Sequence, residues 1–246
     1  MITIGIIANK GGQGKTTTAV NLAHGLALAG KKVLLVDCDD QGHVVVNFDV
    51  STEGSPTLYN IITKGETPQN VMVELRPNLH AILSDQTLVA AMVTLQGIEV
   101  DVVRVGQLRS ICEAVQGDGF DFVIFDGKPG QNEMVYNIIM ASQVLYLPVN
   151  IGGDFYALAG LGTFLKAIHD TCQDYDADLG HWYEQIRLIP YFYKPREPDS
   201  QRDFTALTEQ YRDLVTSPIR YSAAVANAPR RGQTIFEYST IYKNLG

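Results

Sequence analysis

The chain has 246 residues, 46% of them hydrophobic and 19% charged, with a net charge of −8. That length and apolar content suit one domain with a large core and exclude general disorder, and no apolar stretch approaches the ~18 residues of a membrane span. Lys10 and Lys15 cut the N-terminal apolar run before it can act as a signal-peptide core, so a soluble cytoplasmic chain is expected.

Cys38, Cys112 and Cys172 are odd in number and no two form a C-x-x-C pair, so reduced thiols are expected instead of a disulfide framework or a zinc site. The acidic average hides an asymmetry. Residues 1–180 hold ten Lys/Arg against twenty Asp/Glu, whereas residues 181–246 hold nine against seven. A polyanion contact is therefore expected in the C-terminal third.

Short apolar runs alternate with stretches of helical period, the pattern of repeated βαβ units. Ile2–Ala8 reads as a buried strand leading through a Gly-rich turn into a helix over Lys15–Ala29. Strands follow at Val33–Asp37 and Leu79–Leu83, then helical stretches at Leu88–Leu95 and Val102–Val115. Phe120–Asp126 is a strand, Met134–Ala141 a helix, Val144–Val149 a strand and Phe155–Cys172 a long helix. The chain closes with a strand at Ile186–Phe192, a helix near Phe204–Val215, a short strand at Ile219–Tyr221 and a helix over Thr234–Asn244. No linker or repeat divides it, so a single α/β domain spanning 1–246 is expected, with a mostly parallel sheet between helices.

Lys10-Gly11-Gly12-Gln13-Gly14-Lys15-Thr16-Thr17 lies between the first strand and the first helix. There, glycines let several backbone N–H groups converge on a phosphate at a helix N-terminus. Lys15 is placed to neutralise the β- and γ-phosphates of a nucleotide, and the Thr16 hydroxyl to ligate Mg²⁺. The general spacing G-x-x-x-x-G-K-[ST] is not met, because Asn9 stands where its first glycine belongs; the loop instead reads K-G-G-x-G-K-T. Asp37, Asp39 and Asp126 end strands at the carboxyl edge, where open α/β sheets bind ligands, although a strand-end Asp can also be a simple turn residue.

With these residues the sequence resembles the deviant Walker A ATPases, specifically the ParA type of partition ATPase. Val33 to Gly42 is similar to the family's D-x-D-P-Q-G motif, Phe122–Asp126 to its Walker B strand, and Pro148-Val149 to its P-V signature. Tyr156-Ala157-Leu158-x-Gly160-Leu161 and Ala228-Pro229-x-x-Gly232-x-x-Ile235-x-Glu237-Tyr238 match two later segments in family order. The resemblance implies a three-layer P-loop NTPase fold, ATP and Mg²⁺ as cofactors, and a homodimer closed around two ATP molecules. It implies that Lys10 reaches the partner's nucleotide, that Asp126 and Asp37 serve the metal, and that Asp39 orients the attacking water. Pro190, Tyr191 and Pro229 would border the base. A ParB-like centromere-binding or adaptor protein would stimulate slow hydrolysis, and the ATP state would bind nucleoid DNA.

Three positions break the pattern. Asp40 stands where the family has Pro, and Gly127-Lys128-Pro129-Gly130 replaces T-P-P-S. Ala224 stands five residues before Pro229, where relatives carry a DNA-binding Arg, leaving Arg220, Arg230 and Arg231 to supply a cationic surface. The phosphate loop begins at Lys10, so no operator-binding module is expected ahead of it. A MinD-like membrane switch is an alternative reading, although Thr234–Gly246 offers a cation at only one position, Lys243. A nucleotide-binding pseudo-ATPase is a further alternative because of Asp40 and Lys128. An iron-protein-like reductase would need interface cysteines that Cys112 and Cys172 do not supply.

Overall fold

The computed structural model describes residues 1–152, 158–175 and 185–243. Its strands are β1 (Ile2–Ile6), β2 (Val33–Cys38), β3 (Val73–Arg76), β4 (Leu79–Ile82), β5 (Phe122–Gly127), β6 (Val144–Asn150) and β7 (Ile186–Tyr191). They form one sheet in the order β3-β4-β2-β5-β1-β6-β7. All neighbours are parallel except β3, which runs antiparallel to β4 at one edge.

The helices are α1 (Lys15–Leu28), α2 (His43–Phe48), α3 (Leu58–Lys64), α4 (Pro68–Val71), α5 (Leu88–Gln96), α6 (Asp101–Val105), α7 (Gln107–Ala114) and α8 (Glu133–Ala141). After them come α9 (Leu161–Asp174), α10 (Pro198–Tyr211), α11 (Ala223–Asn227) and α12 (Ile235–Lys243). None is long and apolar enough to cross a membrane among the described residues.

Side chains alternate along each strand, so a parallel sheet buried on both faces builds two cores. On β2, Val33 and Leu35 join the core beneath α1 and α2, while Leu34 and Val36 join the one beneath α5, α7, α8 and α9. Ile124 and Phe125 of β5 divide in the same way. The result is the three-layer α/β domain the sequence leads one to expect, and all three cysteines are buried free thiols.

Several elements differ from expectation. His43–Phe48, with three consecutive valines, is helical although β-branched residues favour strands, because Gly42 turns the chain at φ 58° and the Asp37 carboxylate accepts from Val44 N–H at 3.3 Å. Residues 57–76, where the sequence pattern predicts no element, hold α3, α4 and β3. Gly106 splits the 102–115 stretch into α6 and α7, and α10 starts earlier, with Pro198 in its first turn. Ile219–Tyr221 is no strand of the sheet; it runs beside the end of β7 with one bridge, Tyr193 to Arg220, and backbone hydrogen bonds to Pro190 and Tyr193. Tyr156 and Ala157, with the start of the helix expected from Phe155, lie outside the described residues.

Candidate nucleotide site

The chain leaves β1, loops through Lys10–Gly14 and enters α1 at Lys15, with Gly14 at φ 88° as the residue before the helix. A Cβ on Gly14 would lie 2.5 Å from the Tyr191 ring, so the left-handed turn and the close approach of β7 both demand glycine. Gln13 is buried, and its Oε1 accepts from Asn150 N–H at 2.7 Å, tying the loop to the end of β6. Lys10, Gly11 and Gly12 are exposed at the tip, while Thr16 and Thr17 are half-buried.

Lys15 is 7% exposed and its Nζ donates to the Lys10 carbonyl at 3.4 Å, curling the loop around its own ammonium. Burial lowers its pKa, and the Asp126 and Asp39 charges pull the other way. Asp126 and Asp37 are paired across β5 and β2 and neither is exposed to solvent. Burial pushes Asp126 up to about 7, and the Asp39 charge adds to this; the Thr16 hydroxyl and Lys15 offset only part of the cost. Neither Asp126 oxygen has a hydrogen bond of full geometry. Asp37 is also raised, first by burial and then by Asp126, despite accepting from Asp39 N–H at 3.1 Å and from Val44 N–H.

A buried, unsatisfied carboxylate costs free energy, and here it lies beside a hydroxyl and an ammonium at the mouth of an anion-binding loop. Such a donor set suits a hard divalent cation that takes its remaining ligands from phosphate oxygens and water. The described residues contain no cluster of three or more His, Cys, Asp or Glu that could hold a metal by themselves.

Asp39 is buried at the end of β2 and accepts from Gln41 N–H at 3.1 Å. Ser84, which no motif in the sequence marks, donates to the Asp39 carbonyl at 2.5 Å from the end of β4. A Ser closing a strand next to β2 is the available signal. Asp40 pairs with Lys128, and Gln41 Nε2 donates to it at 2.8 Å. Burial alone would raise the Asp40 carboxyl; the hydrogen bonds from Lys128 and Gln41 and the Lys128 charge overcome it and hold it below its ordinary value. At Gly127 a Cβ would lie 2.8 Å from the Ile6 carbonyl, which accounts for glycine there.

Beside the start of α1 a largely apolar cavity of about 400 Å³ is lined by Thr17, Leu22, Tyr146, Ile189, Tyr191 and Ile219, among others. Of the three residues expected to border a base, Tyr191 lines this cavity; burial raises its hydroxyl pKa while a hydrogen bond with Thr17 offsets part of this. Pro190 and Pro229 are not among the lining residues; Pro190 lies buried in β7, and Pro229 opens a 3₁₀ turn between α11 and α12. Arg220, Arg230 and Arg231 are all exposed, with the Arg231 guanidinium 5.5 Å from the centre of the Tyr238 ring. Ala224 lies in α11.

Together the parallel sheet, the loop ahead of α1 and the carboxylates at the strand ends define a P-loop NTPase fold of the deviant Walker A type. A family model described as an AAA domain matches residues 1–180. The chromosome-partitioning ATPase Soj of Thermus thermophilus is 30% identical over 237 residues, which covers 96% of this chain and 88% of that protein. The chromosome partitioning protein ParA of Caulobacter vibrioides is 33% identical over 243 residues, covering 94% of this chain and 85% of that one. Apo McdA of Cyanothece superposes with a TM-score of 0.83 at 24% identity, each chain wholly covered, and so shares the fold. This chain belongs to the ParA-type partition ATPases.

Proposed function

We propose that the protein is a Mg²⁺-dependent ATPase that positions or segregates DNA or another cellular cargo, closing as a homodimer around ATP and binding non-specific DNA in that state. One observation carries the reading: the orphaned Asp126 carboxylate, buried beside Thr16 and Lys15 at the loop that opens α1. Mg²⁺ held by Thr16 and Asp126, with Asp37 behind them, supplies charge neutralisation at the phosphates. Lys15 binds the β- and γ-phosphates, the loop N–H groups of residues 11–17 cradle them, and Asp39 orients water for attack. Lys10, exposed at the tip, reaches the nucleotide of a second copy, the role that arginine fingers fill elsewhere. Relatives named as partition ATPases support the cargo reading, and a ParB-like protein is the stimulating partner it implies. Arg220, Arg230 and Arg231 provide the DNA contact in place of the arginine missing at 224. In such a role the protein is nucleoid-associated.

Membrane association is disfavoured by how α12 sits. Its start is fastened to α1 by Ile235 N–H to Asn21 Oδ1 at 2.9 Å and by the His24–Thr234 contact at 2.6 Å, and Tyr238 is buried against the domain. The test is co-sedimentation with a long non-specific duplex in apo, ADP and ATP-Mg²⁺ states at two salt concentrations. Binding confined to ATP, weakened by salt and lost in both Lys10→Ala and the Arg230→Ala/Arg231→Ala double variant is the expected result. Absence of DNA binding with ATP-dependent dimerisation intact would remove the DNA arm and send the search to liposomes and protein scaffolds.

A further inference from the structure

The two departures from the family motifs nearest the nucleotide site meet in space. Asp40 follows β2 and Lys128 follows β5, and 88 residues apart in sequence they form an ion pair. The register explains the meeting: Cys38 and Gly127 are partners at the ends of adjacent parallel strands, so the residues just beyond them face each other. The Asp40 side chain is 5% exposed and the Lys128 side chain 36%, so the pair is partly desolvated and carries more weight than a surface contact. Asp40 adjoins Asp39 in the chain, and Lys128 lies two residues beyond Asp126. Both connections are fastened elsewhere as well, Asp39 through its carbonyl to Ser84 and Gly130 through its N–H to the Ala8 carbonyl at 3.1 Å. The ion pair is the cross-link between them.

We propose that Asp40 and Lys128 form an electrostatic clamp that positions the Asp39 turn against the Asp126 strand end, and that hydrolysis depends on it. The proposal rests on the ATPase reading above and adds two positioning residues to it. Gly127 is held in β5 and Gly130 by its N–H bond to the Ala8 carbonyl, and between them the ion pair ties Lys128 to the Asp39 turn at the end of β2. Removing either partner leaves the other without its ion pair and cuts this tie between the Asp39 turn and the end of β5.

The test compares wild type, Lys128→Met, Asp40→Asn, the Asp40→Asn/Lys128→Met double variant and Lys128→Arg. Three readouts are taken: steady-state ATP hydrolysis with nucleotide affinity, hydrogen–deuterium exchange of the nucleotide-free protein over residues 39–44 and 127–132, and the melting temperature. A clamp predicts that each single variant lowers kcat by about tenfold with nucleotide Kd changed far less, because misplaced groups cost rate more than binding. The double variant should be no worse than either single, since both break one interaction, and Lys128→Arg should recover most of the rate. Lys128→Met should also raise exchange in 39–44, a segment remote in sequence. Unchanged kcat with unchanged exchange overturns the clamp, as do losses that multiply in the double variant or a fall in thermal stability without a fall in kcat. A wild type that binds but does not hydrolyse ATP overturns the ATPase reading and the dependence of hydrolysis on the pair. The exchange arm then still reports whether the pair joins the two loops, so the two failures are told apart.

Discussion

Helix α1 serves two clusters of buried polar groups, and they are built on opposite principles. At its N-terminus, Lys15, Asp37, Asp39 and Asp126 crowd together with the Asp126 oxygens unsatisfied and two carboxyl pKa values driven up. On its flank, Asn21 and His24 meet the start of α12, where Glu237 accepts from Arg76 at 2.6 Å and from Thr234 N–H at 2.8 Å. The Arg76 guanidinium also stands over the Phe48 ring, 5.2 Å from its centre. The first cluster stores free energy that a cation and phosphates can release, whereas the second is closed on itself and spends its hydrogen bonds on the fold. Satisfaction, more than burial, separates a site from a strut.

The largest effects should come from breaking the first cluster. Asp126→Asn should lower Mg²⁺-dependent hydrolysis by at least ~100-fold, because metal stabilisation of developing charge is a matter of several kcal/mol. In the nucleotide-free protein at pH 8 the same variant should melt higher than wild type, since it removes a carboxylate whose charged form is disfavoured by burial and by its neighbours. Calorimetry without nucleotide, set beside an ATPase assay, reads the opposite signs. Next, Gly14→Ala should cost about 2–4 kcal/mol, through a left-handed backbone and a Cβ against Tyr191, and lower Tm by roughly 5–12 °C. A variant that melts like wild type would show that β7 can move away from the loop.

The second cluster should answer with stability alone. Glu237→Gln should cost about 1 kcal/mol, given that both partners of the ion pair are about a quarter exposed (26% each), and leave kcat unchanged. The smallest effect is its pH dependence. Arg76 and Thr234 hold the Glu237 carboxyl below its ordinary value against the opposing effect of burial. Its contribution is therefore full above the unfolded-state pKa of about 4.3 and fades as pH falls through the lower native value. The Tm gap between wild type and Glu237→Gln should be constant above about pH 6 and close under more acid conditions. A gap that widens in acid would contradict the assignment.

The phosphate loop and the carboxylates at strand ends are legible because their signal is local: glycines, a lysine and a threonine at fixed spacing between an apolar run and a helical one. The sheet is legible for the same reason, since fully buried parallel strands read as continuous apolar runs. What escapes a sequence reading depends on partners far along the chain. Asp40 and Lys128 each stand out as departures from a motif, yet their pairing requires knowing that β2 lies beside β5. His24 and Thr234, 210 residues apart, give no sequence signal at all. Phe192, at φ 64°, adopts a backbone that its side chain disfavours, with its ring against both Tyr191 and Tyr221.

The borders of the sheet bear on how copies of the protein can assemble. At one side β3 is only four residues long, antiparallel and irregular in register; at the other, β7 is flanked by Val215, which bridges Leu188, and, just past its end, by Arg220, which bridges Tyr193. Short, kinked or covered margins are how β-proteins discourage strand-to-strand polymerisation. Growth of an assembly through backbone ladders is thereby discouraged at both margins of the sheet.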